Sequence, residues 1–190
     1  MYPFFRLALE YRTHRGAAPL PLTGTHVSHH RCWPWDLDMW AELNNGRTLT
    51  LYDLGRIPLA MRTGLVMAMR EQGWGLTIAG SSVRYRRRVR AFERLEMRSR
   101  VVCWDARFIY LEQSMWRRDG ECTSHALYRS AVTSADGIVP PEKVLSAMRQ
   151  TATSPPMPDW VAAWSAAEAL RPWPPMQDET PEALARRAHA

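Results

Sequence analysis

Two carboxylates, Asp36 and Asp38, stand a few residues ahead of paired asparagines, Asn44 and Asn45, with Glu42 between them. Asparagine at the head of an apolar-periodic run is a helix N-cap signal, because its side-chain oxygen accepts from amides that the first turn leaves without partners. A helix starting there exposes amides whose aligned dipoles favour negative charge. Carboxylates beside such donors suit chemistry in which an acyl carbonyl becomes an oxyanion under attack.

The elements that must hold this stretch can be read outward from it. Thr25 to Trp33 is β-like, with His26, His30 and Cys32 on one side at period two. That face is expected to meet solvent or hydrogen-bond partners, since no second pair of metal ligands follows downstream. After the loop, Leu49, Tyr52, Leu54, Ile57, Leu59 and Met61 form a broad apolar face at helical spacing, so the helix belongs inside. Gly55 in its middle implies close approach of another backbone, and Asp53 and Arg56 have ion-pair spacing. Pro58 is expected to kink or end this helix, with a second piece over Arg62 to Gln72 closed by Gly73.

Four long strand-like stretches follow: Leu76–Val89, Arg94–Asp105, Arg107–Arg118 and Cys122–Ser134, with Asp119-Gly120 as a hairpin turn. Leu95, Met97, Ser99 and Val101 alternate with charged residues, as in a half-buried antiparallel strand. One strand, one buried helix and four long strands satisfy their backbones when a curved antiparallel sheet wraps the helix. Residues 1–24 read as an N-terminal arm and 25–150 as the α+β domain. Residues 151–190 read as a Pro-rich linker, a helix over Asp159–Leu170 with Asp159 as N-cap, and a tail.

The pattern Asp36-x-Asp38, then Asn44-Asn45 and a downstream Asp53-Leu-Gly-Arg56, resembles the signature of the hot-dog fold acyl thioesterases, nearest the 4-hydroxybenzoyl-CoA thioesterase type. The likeness runs from about Thr25 to Val144. It implies a long antiparallel sheet around a central helix, a homodimer with the acyl site between subunits, and hydrolysis of an acyl-CoA thioester without metal or cofactor. It assigns Asp38 as base or nucleophile and the amides of Asn45 and Gly46 as oxyanion donors, while Asp36 bonds loop amides. By spacing alone, Asp38 equally fits a turn cap. Family members often carry His where this chain has Glu42, and an aromatic where it has Thr48. Glu42 then either replaces imidazole as the general base or sits as an acid near the helix start, where the dipole favours it. These departures keep open a non-catalytic acyl or acyl-CoA binding protein on the same scaffold.

Composition sets the remaining bounds. A mean hydropathy of -0.37 and no apolar run long enough to span a bilayer argue against a membrane-spanning chain. Charges at Arg6 and Glu10 interrupt any secretory leader, so the expected compartment is the cytoplasm, with Cys32, Cys103 and Cys122 reduced. The net charge of +6 invites a polyanion, but Lys143 is the one lysine among 25 basic residues, which points to an Arg-biased genome. Arg84, Arg86 and Arg88 are expected on one side of a strand. There they hold coenzyme A phosphates, or simply face water. Arg107, after Trp104-Asp105-Ala106, matches a family position that contacts the nucleotide. No recognised module or stacking platform accompanies the run, so nucleic acid is not the expected partner.

Overall fold

The computed structural model describes residues 2–175. Its elements are α1 (Phe4–His14), β1 (His26–Arg31), α2 (Asn45–Arg62), α3 (Leu65–Gln72), β2 (Gly75–Tyr85), β3 (Arg94–Trp104), β4 (Ile109–Arg117), β5 (Cys122–Ser134), β6 (Gly137–Val139), α4 (Pro141–Ala147) and α5 (Asp159–Ala169). All pairings are antiparallel, in the order β1-β3-β4-β5-β2, with β6 on the end of β5. Leu95, Met97, Val101, Leu111, Met115, Ala126 and Tyr128 line one face of this sheet and form a single core with Leu51, Tyr52, Leu54 and Leu59 of α2. The chain therefore has the curled sheet around a buried helix that the strand periodicity implied.

Close packing of α2 on the sheet depends on Gly55. A Cβ built there would lie 2.6 Å from Met97 Sδ and 2.7 Å from Ser99 Oγ, inside contact distance. The same spot carries a buried polar knot: the Gln113 amide donates to the Tyr52 carbonyl at 2.8 Å and to Ser99 Oγ at 2.7 Å. The Tyr52 hydroxyl lies 2.9 Å from Ser124 Oγ. Arg56 pairs with Asp53, as their spacing predicted, and its guanidinium stacks 4.4 Å from the Tyr128 ring centre.

Several local expectations are corrected. Pro58 lies inside α2 without ending it. The ring removes one donor to the Leu54 carbonyl, and burial of both neighbouring turns in the core holds the helix through that gap. The break comes instead at Gly64, whose φ of 86° begins α3, and Gly73 at φ 68° closes α3. The strand expected to reach Val89 stops at Tyr85, because the amides of Arg86 and Arg87 both turn onto the Thr123 carbonyl. Arg86 and Arg88 are thus off the strand. Of the two surroundings expected for the histidine face of β1, it meets hydrogen-bond partners and not solvent: His26 and His30 are buried, with His14 and Glu10 of α1 against them. His30 Nε2 lies 2.8 Å from Ser28 Oγ, and His26 Nδ1 lies 3.1 Å from the Arg62 guanidinium. Burial and surrounding positive groups lower their pKa values to about 4 for His26 and about 3 for His30.

Residues 156–175 belong to a second compact unit. Within it, Pro158 rather than Asp159 occupies the N-cap of α5, and Asp159 sits in the first turn, where an acid complements the dipole. Among the described residues, no helix is long and apolar enough to cross a membrane.

Candidate active site

The loop from Asp36 to Asn44 closes on itself immediately before α2. Leu37 and Leu43 form a β-bridge, the Asp38 amide donates to the Glu42 carbonyl at 2.8 Å, and the Asn44 amide donates to the Asp36 carbonyl at 3.0 Å. Ala41 takes a left-handed conformation, φ 58°, to make the tip. Asn44 caps the helix, its side-chain oxygen accepting from the Arg47 amide at 3.0 Å. The amides of Asn45 and Gly46 come next, exposed and donating to nothing among the described residues.

The two aspartates of this loop differ sharply. Asp36 is buried, and its carboxylate is saturated by Arg6 at 2.9 Å, Arg47 at 2.7 Å and the Trp33 amide at 3.0 Å. It ties α1 and the first turn of α2 to the loop. Asp38 is half-buried, and only its Oδ1 is used, accepting from the amides of Trp40 at 2.9 Å and Glu42 at 3.5 Å. Its Oδ2 accepts no hydrogen bond among the described residues. Such an oxygen, held by its twin on a rigid loop, is available to a water or a carbonyl carbon. A hollow of about 390 Å³ opens on the Asp36 side of the loop, lined by Tyr2, Trp35, Asp36, Leu37, Asn44, Arg47 and Thr50; Asp38 is not among its lining residues.

Glu42 precedes the helix instead of starting it, and its carboxylate faces Arg88 at 3.2 Å. Thr48 is buried one turn into α2, with its hydroxyl on the Asn44 carbonyl at 3.1 Å. The Arg84–Arg88 segment passes beside the helix start: the Val89 carbonyl accepts from the Leu43 amide at 2.8 Å, and the Tyr85 hydroxyl donates to the Asn45 carbonyl at 3.0 Å. Arg84 and Arg86 are exposed and without carboxylate partners among the described residues, while Arg88 is held by Glu42. Arg107 is not gathered here. It lies in the β3–β4 turn at the far end of the sheet, its amide on Asp105 at 2.7 Å and its guanidinium against Phe108. On β5, Arg84 pairs with His125 while the strand end next to Arg107 pairs with Ser130, a separation of roughly 17 Å at about 3.4 Å per residue.

Arg6, Arg47 and Tyr85 are parts of this site that the residue pattern did not single out. Arg47 lies within the motif and could have been found as the cation eleven residues after Asp36. Arg6 is thirty residues upstream and gives no local signal.

Solved structures share this fold. The computed structure is similar to the probable thioesterase YbaW of Escherichia coli, TM-score 0.60 at 15% identity, covering 65% of this chain and 98% of that one. It is likewise similar to a DHNA-CoA thioesterase of Staphylococcus aureus, TM-score 0.56 at 14% identity, covering 77% of this chain and 92% of that one. These likenesses establish the hot-dog fold. In sequence, the chain is 33% identical to Protein THEM6 of Xenopus laevis over 132 residues, 69% of this chain. It spans 62% of that protein's length. The family model of the thioesterase-like superfamily matches residues 32–165, which take in the aspartate loop, the capped helix and the whole sheet from β2 onward; this chain belongs to that superfamily.

Proposed function

We propose that the protein hydrolyses an acyl-CoA thioester to a carboxylic acid and free coenzyme A. The observation that carries this is the division of labour between the two aspartates: one is consumed by structure, and the other keeps a free oxygen on the loop that leads into a helix N-terminus whose first amides are unpartnered among the described residues. In this reading Asp38 attacks the thioester carbonyl or takes a proton from an attacking water. The Asn45 and Gly46 amides stabilise the oxyanion, and the positive helix end adds to them. Glu42 serves through Arg88, fixing that guanidinium beside the loop together with Arg84 and Arg86, where phosphates of the carrier would be met.

The same reading makes the enzyme a cytoplasmic homodimer. Its three cysteines are free thiols. Strand β2 is bonded on one side to β5 and open on the other, with Leu76 and Ile78 exposed although both face the concave side of the sheet. An apolar open edge of that length calls for a second strand. The core between α2 and the sheet is nearly full, with a cavity of about 30 Å³ near Leu59, Val101 and Leu111, so the acyl group would lie between subunits. The test is turnover of an acyl-CoA panel followed with a thiol reagent. The proposal requires activity in the wild type that Asp38→Ala removes. Saturable acyl-CoA binding without turnover in the wild type would instead support the binding-protein reading, which Glu42 in the usual histidine position favours.

A further inference from the structure

On the convex face, at the sheet end from which the chain enters the aspartate loop, Arg31 of β1 lies directly opposite Arg94 of β3. Leu95 of β3 faces Arg117 of β4, so Arg118 continues the row beyond the strand end. These residues line one open cleft of about 670 Å³, with His29, Glu96, Arg98 and Trp116 further in. It runs into a second hollow of about 460 Å³ that Arg94, Arg117 and Arg118 share with Phe92, Glu93 and Asp119.

Like charges directly opposite across two strands destabilise a sheet. The carboxylates within reach are turned to other partners. Glu96 is held by Arg98 at 2.6 Å with His29 at 3.7 Å, Asp119 by Arg117 at 3.0 Å, and Glu93 accepts from the Arg90 amide at 3.1 Å. Arg31 lies 5.5 Å from the centre of the Trp33 ring, and Arg94 and Arg118 have no ion-pair partner among the described residues. Three guanidinia thus line one cleft, and the carboxylates that line it and the adjoining hollow with them, Glu96, Glu93 and Asp119, are engaged by other groups. Guanidinium forks match phosphate oxygens in pairs, and several together select for clustered phosphates over a single carboxylate. Trp116, with Arg98 stacked 4.6 Å from its ring centre, adds an aromatic wall of the kind on which a base can rest.

We propose that the Arg31–Arg94–Arg118 row is a binding site for the clustered phosphates of a nucleotide. If the hydrolysis reading holds, that nucleotide is the carrier's own, and this row shares its phosphates with Arg84, Arg86 and Arg88 at the sheet end where Arg87 and Arg117 both pair with Glu121; the site itself does not depend on that reading. From Arg31 the chain runs through Cys32 and Trp33 into the aspartate loop, and the Phe92 amide bonds the Cys32 carbonyl at 2.6 Å. A ligand anchored in the cleft is therefore tied mechanically to the loop that carries Asp38.

The experiment is direct titration of the full chain at low salt with coenzyme A, ADP, inorganic pyrophosphate and a mixed-sequence single-stranded oligonucleotide, none of which requires turnover. Saturable binding of at least one small phosphate ligand is expected, weakened about tenfold or more in Arg94→Gln/Arg118→Gln and unchanged in Arg70→Gln, which lies on α3. The unliganded double variant should melt no lower than the wild type, since it relieves repulsion, and this shows that the weakening is not unfolding. Coenzyme A binding more tightly than ADP and pyrophosphate assigns the site to the carrier, and equal binding assigns it to a free nucleotide; both support the proposal. It is overturned by absence of saturable binding to any of the three small ligands, by binding that the double variant leaves unmoved, or by an oligonucleotide binding more tightly than all three. Because bound ligand is measured, loss of this site and loss of hydrolysis at Asp38 remain separate results.

Discussion

Asp36 and Asp38, two residues apart on one loop, have exchanged nothing but neighbours: Asp36 is enclosed by Arg6 and Arg47, whereas Asp38 leaves one carboxylate oxygen open. Substitution at the two positions should therefore fail in different ways. Asp38→Asn should abolish thioester turnover while shifting stability by no more than about 0.5–1 kcal/mol, the loss of a partly exposed turn cap. Asp36→Asn should cost about 2–3 kcal/mol, somewhat under the figure for a fully buried pair because both arginines keep some contact with water. Chemical denaturation of the two variants beside a thiol-release assay checks both halves.

Gly55→Ala should destabilise the fold. The added methyl meets Met97 Sδ at 2.6 Å and Ser99 Oγ at 2.7 Å, and overpacking of this kind costs about 1–3 kcal/mol. The gain of about 1 kcal/mol in helix propensity recovers part of it. A shift of the urea midpoint to lower concentration at unchanged slope is the expected result.

Acid should unfold the protein from the α1 side. His26 and His30 are held neutral in the fold, with pKa values lowered to about 4 and about 3 by burial, while an unfolded histidine titrates near 6.5. Groups depressed on folding contribute stability that is fully present above the unfolded value and is lost as pH falls towards the folded one. Stability should therefore decline from about pH 6.5 down to about pH 4. Glu10, raised by burial, works the other way. Thermal melts from neutral to acid pH should show this slope, and it should flatten in His30→Gln.

If the open β2 edge pairs two copies as proposed, the wild type should elute as a dimer and Ile78→Lys as a monomer. Ile78 is partly exposed on the open edge strand, so the change costs the isolated subunit little, within about 0.5 kcal/mol, while placing a charge where a second strand would pair. Light scattering on eluting wild type and variant reads the mass directly.

Much of this architecture was legible because burial on one face writes itself as period two. Strands β3 and β5 were recovered from Arg94 and Cys122 onward, and Gly55 and the Asp53–Arg56 pair came from their spacing on α2. What escaped depended on distant residues. The arginine run beyond Tyr85 carries no apolar period, so its departure from the strand onto Thr123 could not be seen. The inward turn of the β1 histidines follows from α1 covering them, a contact between segments twelve or more residues apart. Pro58 does not end the helix, since packing on both sides of it outweighs one missing hydrogen bond. Spacing alone does not separate Asp36 from Asp38; the resemblance to the family does, and what it does not supply is the ion pairing that buries Asp36. That pairing draws on Arg47 and on Arg6, the latter at the other side of β1.

The Tyr85 hydroxyl bonded to the Asn45 carbonyl joins the open edge strand to the very first residue of the buried helix. In the proposed dimer, locking edge to edge would also steady the corner that holds the aspartate loop in each copy. Specific activity should then depend on concentration, falling on dilution as pairs separate and returning when they reform.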